Sequence, residues 1–399
     1  MRSLVAAVAA ALVLSACQDP AGVGLGLIDE EQLDPNVRTV LLTDVAPTAD
    51  TTVAIGIASD RDPALIQSRV LVGRVQDPVF GDARSVAYVD FVRLAELPDD
   101  AEAADVTAAW LVLERSYTYG DTTTTLPLEL RPVQGSWTAN TGYPADTLFA
   151  TGDLLATTDV APADTSARFD LPASWVAANA ATLLSDTFGD DFEGFGIDVP
   201  AGFTPSPGAV VGFDTFASTG SGLRVVVAGD TVAYALSEVF SSIAVTPAPG
   251  TTPNVLPARV GSESVVRFNA DFGTVGPAAL ARARLSLPLD LSLTREGSFV
   301  RPVPSRSFLV GVRTVDGEER RFPLSDNVVF DGGELTVFDT GRLTAEVQQV
   351  LLDPGSAFER YELVPLRGAA SLDILPILLS GAPDDRAPRF TLTVVGASG

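Results

Sequence analysis

The alternation in "SVAYVDFVRL", residues 85–94, restricts this chain more than any other feature. Successive side chains of a strand point to opposite faces, so a period of two buries one face and wets the other. The same signal, as strict alternation or a short apolar run, recurs in "TTVAIGIA", "VTAAWLVLERS", "LPLELRPV", "AVVGFDTF" and "GLRVVVAG". Gly, Pro, Asp and Thr break these runs, as turns require. Such a chain folds as a mainly β protein.

Two stretches carry a helical period instead. In "ASWVAANAATLLSD" (173–186), Trp175, Val176, Ala180, Leu183 and Leu184 fall on one side. In "TGRLTAEVQQVLLDP" (340–354), Leu343, Val347, Val350 and Leu351 do the same, and Asp353-Pro354-Gly355 stops the helix. Each follows a Phe-Asp pair. Each half of the chain then reads strand, loop, apolar strand, Phe-Asp-led helix, strand, final strand. This order predicts two similar jelly-roll-like β-sandwich domains, each with one short helix, over 50–235 and 259–399. The proline-rich stretch 236–258 is expected to link them.

The chain has 51 acids against 26 bases, a net charge of −25, and every base is arginine. Excess carboxylate keeps a protein soluble, and for the chain taken as a whole it makes nucleic acid and anionic membrane surfaces poor partners. With no histidine and one cysteine, histidine-dependent triads and the usual zinc sites are excluded, as is any disulfide within one chain. Paired carboxylates are the catalytic route that composition leaves open. Asp99, Asp100, Asp190, Asp191, Glu193, Asp198, Asp384 and Asp385 are its candidates, but they do not stand out from a solvated acidic surface. A non-enzymatic protein is expected.

The single cysteine has a different use. Arg2 and the apolar run "LVAAVAAALVLSA" form a signal peptide over 1–16, too short to span a bilayer. Leu14-Ser15-Ala16-Cys17 is the lipobox pattern of bacterial lipoproteins, in which the cysteine thiol receives a diacylglycerol and the chain is held by lipid. Gln18, in place of the aspartate that retains such proteins at the inner membrane, directs it to the outer membrane, on the periplasmic or cell-surface face. Residues 17–49 are expected to be the acylated N-terminus and a tether.

The strand, loop, strand and helix unit with its closing "LRVVV" looks like extracellular jelly-roll modules. "GVGLGLID", "LVGRVQDPVFGDARSVAYVDF" (71–91) and "YTYGDTTTTLPLELRPV" (117–133) are similar to an uncharacterised Bacteroidetes-type outer-membrane lipoprotein family, domain of unknown function 4270. The likeness is clearest over residues 17–135. It implies a location and an architecture, and no chemistry. Read physically, "QDPVFGDA" and "TYGDTTTT" are turns, the second a hairpin end leading into a threonine-rich edge strand.

Sugar rings stack on exposed aromatics. Trp137, in a polar loop with Tyr143, is the first candidate for glycan contact, and Tyr117 and Tyr119 come next. Trp110 and Trp175 sit in apolar patterns that assign them to the core. "GDDFEGFGID" (189–198) offers Asp190, Asp191 and Glu193 as ligands for a structural calcium; no other cofactor is expected. The partners implied are outer-membrane lipid and either a glycan-like polymer or an envelope protein.

Overall fold

A computed structural model describes residues 37–43, 45, 47–48, 69–79, 81–138, 143, 146–215, 220–247, 255–256, 266–288, 291–302, 306–326, 328–329, 335–365, 377–378 and 388–395. The lipobox, Cys17 and most of the expected tether lie outside these residues. The protein is mainly β, built from antiparallel sheets with few helices.

In chain order, β1 (Val37–Leu42) and β2 (Pro47–Thr48) come first. The first unit follows with β3 (Arg69–Asp77), β4 (Gly81–Arg93), β5 (Val106–Asp121), β6 (Leu126–Pro132), β7 (Ala156–Val160) and β8 (Ser166–Asp170). Helix α1 (Ala173–Leu184), a short α2 (Phe188–Asp191), β9 (Phe195–Asp198), β10 (Gly208–Asp214), β11 (Gly222–Val227) and β12 (Asp230–Pro247) complete it. β12 pairs with β11 at its start and with β4 along most of its length. β4, β3, β10, β5, β11 and β12 thereby close a ring of ladders.

Beyond it lie β13 (Val255–Leu256), β14 (Val266–Phe268), β15 (Ala279–Pro288), β16 (Arg295–Glu296), β17 (Phe299–Val300), β18 (Arg306–Val315) and β19 (Glu318–Pro323). The last elements are β20 (Val328–Val329), β21 (Leu335–Phe338), α3 (Gly341–Leu352), β22 (Arg360–Pro365), β23 (Ile377–Leu378) and β24 (Arg389–Val395). One layer of the second unit runs β1-β24-β15-β21 and the other β19-β18-β22-β14-β2. Phe390, Leu392, Leu285, Tyr361 and Leu363 fill the space between, with Leu343, Val347, Val350 and Leu351 of α3. Those helix residues are the ones its sequence period selects. Thr340 starts α3 by accepting the Leu343 N–H on its hydroxyl at 3.1 Å.

The two units share their pairing pattern. β5 runs between β8 and β11, as β15 runs between β21 and β24. β9 joins β4 to β6, as β22 joins β14 to β18. Even the registers agree: Leu111 faces Phe169, and Leu285 faces Phe338.

The units differ in where their outer strand comes from. In the first, β12 borders β11 and β4. In the second, β1 borders β24 and β2 borders β14. Val37 pairs with Val395 and Leu42 with Phe390. Strands β1 and β2, expected in the tether, therefore belong to the C-terminal unit, and the first unit sits within it in sequence. Likewise 236–247, expected in the linker, are the second half of β12, with Val239 and Phe240 buried. Proline content misled there, because the prolines begin only at Pro247, the last residue of the strand.

One segment of the second half reaches the first unit. The β16–β17 hairpin adds to β5, with Phe299 opposite Asp121. Just beyond it, Arg301 is fully buried against Asp77.

Candidate functional site

The aromatic residues expected to contact a glycan are mostly packed. Trp137 is 7% exposed, its ring stacks on Phe149 at 5.4 Å, and its Nε1–H donates to the Glu193 carbonyl at 2.9 Å. Tyr143 sits edge-on to Phe149 and Phe240. With Tyr88, these contacts hold Trp137, Tyr143 and Phe149 against the outer face of β4 and β12. A polar sequence around Trp137 suggested exposure, but the indole N–H needs only one acceptor to be buried. Gly194 makes the fit close: its φ is +77° and a Cβ there would stand 2.1 Å from the Val89 carbonyl.

Tyr119 is also buried, donating its hydroxyl to Asp77, and Phe299 meets its ring edge-on at 6.0 Å. Burial first, and the Asp77 charge second, push its pKa far above the usual tyrosine value. Tyr117 lies at the margin of the same cluster, with Arg69 5.3 Å above its ring. The expected threonine strand after Tyr119 is a turn. Asp121 accepts the hydroxyls of Thr123 and Thr124 at 2.8 Å each, and the chain crosses to β6 rather than forming a hairpin with it.

The expected calcium ligands do not converge. Asp190 and Asp191 are exposed on α2, where Asp191 accepts from Ser185 and Thr187 hydroxyls at 3.1 and 2.6 Å. Glu193 instead lies close enough to Asp90 for its charge to act there. Among the described residues no group of three His, Cys, Asp or Glu could hold a metal. Burial raises the Asp90 pKa to about 7, aided by the charges of Glu238 and Glu193. Of the other acids considered for catalysis, Asp99 and Asp100 are exposed at a turn and Asp198 is paired with Arg84. Asp384 and Asp385 lie outside the described residues.

Trp110 is on the opposite side from the one expected. Val227 pairs with Val106 and Val226 with Ala108, so Thr107 is an extra residue, a β-bulge. The bulge shifts the phase of β5. Ala109, Leu111 and Leu113 turn inward, and Trp110 turns outward, half-buried. Across the ladder it faces Arg224 of β11 on one side and Asp170 of β8 on the other. Arg168 lies 4.5 Å over its ring and donates to Asp170 at 2.7 and 2.8 Å. Arg224 is steadied by the Gly220 carbonyl at 2.7 Å. Half-buried Ala108, Val112 and Val226 complete a shallow strip with one indole and two guanidiniums. A continuous apolar run from Ala108 to Leu113 hides this in the sequence, because only the bulge sets which alternate residues face in.

Comparison of the chain with family models, with curated proteins and with solved structures gives no match.

Proposed function

We propose that this protein is an outer-membrane lipoprotein, anchored through acylated Cys17, that acts as a non-enzymatic binding module for an extracellular polymer bearing sugar rings and acidic groups. The observation that carries the reading is the Trp110 strip. The indole and its half-buried apolar neighbours offer a sugar apolar contact once Arg168 swings off the ring, and the adjacent guanidiniums take carboxylate or sulfate. The Arg168–Asp170 pair is exposed, with side chains at 53% and 72%, so a ligand anion exchanges for Asp170 at little cost. The lipobox and the likeness to outer-membrane lipoproteins support the location. No helix among the described residues is long and apolar enough to cross a membrane.

Retention on immobilised acidic and neutral polysaccharides tests the reading. Wild type is expected to be held by an acidic polymer, Trp110→Ala to be released, and Trp137→Ala to be held while folded. Failure of wild type on every polymer overturns it. A second reading, a structural or assembly subunit of an envelope complex, draws on the buried Arg301–Asp77 pair, which fixes a segment of the second half to the first unit. It predicts a fixed membrane partner that co-purifies after mild detergent extraction; recovery as a free monomer rejects it.

A further inference from the structure

The outward sides of the two equivalent strands differ at one position. Leu111 pairs with Phe169 and Leu285 with Phe338, so Trp110 and Arg284 are matching neighbours, each beside the aspartate of a Phe-Asp pair. In the first unit Asp170 receives one guanidinium. In the second, Asp339 receives two. Arg282 donates to both its oxygens, through Nε at 3.0 Å to Oδ1 and through Nη2 to Oδ2, and Arg284 Nη2 lies 3.4 Å from Oδ2. Among the described residues, one carboxylate between two cations leaves one positive charge over. Arg284 Nε has no hydrogen-bond partner among the described residues. The two arginine side chains are nevertheless 42% and 40% exposed, so their charge faces water.

The rest of this face suits an anionic surface. On β24, Thr391 and Thr393 lie opposite Arg284 and Arg282. Thr39 and Leu41 of β1 continue the same rows, with Leu41 51% exposed. Charge is divided unevenly along the chain. Residues 69–247 hold 24 acids and 8 arginines, a net of −16, whereas 266–395 hold 17 acids and 14 arginines, a net of −3. Charges of the first unit are screened beyond about 10 Å at 0.1 M salt. The two partly exposed guanidiniums are the charges this face presents at short range among the described residues.

Position along the chain supplies the occupant. β1 is a strand of this sheet and begins twenty residues after Cys17, a span of at most about 70 Å of chain. We infer that the Arg282–Arg284 face of the β1-β24-β15-β21 sheet docks on the anionic headgroups of the bilayer that holds the Cys17 lipid. The inference rests on the anchored reading above. Anchoring holds the face near the bilayer, so a weak headgroup affinity is enough to orient the molecule. The second unit then lies against the membrane, and the Trp110 strip belongs to the unit held away from it.

Vesicle co-sedimentation of the chain from Gln18 onward, which carries no lipid and keeps every described residue, tests the face separately from the anchor. The probes are phosphatidylcholine vesicles with and without about 30% phosphatidylglycerol, and each guanidinium is expected to contribute roughly a fivefold gain in partitioning. Wild type is expected on the anionic vesicles only, and to be released by high salt. Arg282→Gln and the pair Arg282→Gln/Arg284→Gln are expected to lose that binding stepwise with unchanged circular dichroism, while Trp110→Ala keeps it. Equal binding to both vesicle types, or full binding by the folded double variant, overturns the inference. Displacement by inorganic phosphate at constant ionic strength assigns a free-phosphate site instead. Loss of acidic-polymer retention in the double variant, without vesicle binding by wild type, assigns a polymer site. Failure of the anchor itself shows only in lipid labelling at Cys17, which this assay does not use.

Discussion

The guanidinium of Arg301 grips the carboxylate of Asp77 across 224 residues of sequence, through Nε at 2.8 Å and Nη2 at 2.9 Å, with both side chains out of water. Its remaining demands are met locally. Arg301 Nη1 donates to the Leu293 carbonyl at 2.9 Å and its guanidinium stacks on Phe299 at 4.5 Å. Asp77 also accepts the Val79 N–H at 2.7 Å and the Tyr119 hydroxyl. A buried pair this well satisfied contributes little against an apolar replacement, but breaking it strands a charge. Asp77→Ala and Arg301→Ala are each expected to cost about 3–5 kcal/mol in denaturant unfolding, and the double variant much less than their sum. Additive losses would show that the two residues act independently.

The carboxyl of Asp90 predicts a pH effect. Its folded pKa is about 7, above the ordinary 3.8, because burial disfavours the charged form. The folded state therefore holds a proton that the unfolded chain releases. The stability from this group is full below about pH 4 and is lost as the pH rises through about 7. Asp90→Asn is expected to stabilise the protein at pH 8 by about 1–2 kcal/mol relative to its effect at pH 4. Melting curves of both proteins at the two pH values check this, and a pH-independent difference contradicts it.

Trp137 and Trp110 are expected to separate stability from binding. Trp137→Ala removes a ring packed on Phe149 and is expected to cost about 3–5 kcal/mol. Trp110→Ala is expected to cost about 1 kcal/mol, since its side chain is outside the core and only half-buried. Chemical denaturation read beside polymer retention distinguishes the two, and the reverse ranking would refute the placement of both rings.

At Gly194 a methyl group meets backbone rather than a yielding side chain. Gly194→Ala is expected to cost about 2–3 kcal/mol from its positive φ alone. Tryptophan fluorescence is expected to shift to the red as Trp137 loosens over Glu193.

Cys17→Ser is expected to abolish lipid labelling and to move the protein out of the membrane fraction. Unchanged fractionation would mean that the N-terminal segment is not a lipoprotein signal.

Much of the fold is legible in the sequence, and the reasons for the remainder are physical. The helical periods of 173–184 and 341–352 and the paired Phe169-Asp170 and Phe338-Asp339 carry enough pattern to be seen. The facing of Trp110 depends on one extra residue in β5, and a run of six apolar residues holds no phase to betray it. Trp137 reads as exposed because its loop is polar, although the polar groups belong to its neighbours. Arg301 stands in a short segment without period, so nothing local marks it as buried. The partner of β1 lies at the far end of the chain, beyond any window over which a pattern is read.

That last pairing has a consequence for how the protein is made. Val37 leaves the ribosome among the first residues of the fold, and Val395, its ladder partner, among the last. The first unit has all of its own strands well before then and is free to close early. The second stays open, one border strand waiting, until the final strand arrives. A truncation near the C-terminus would leave β1 as an unpaired edge close to its anchor, and the harm would appear at the end of the chain that had not been cut.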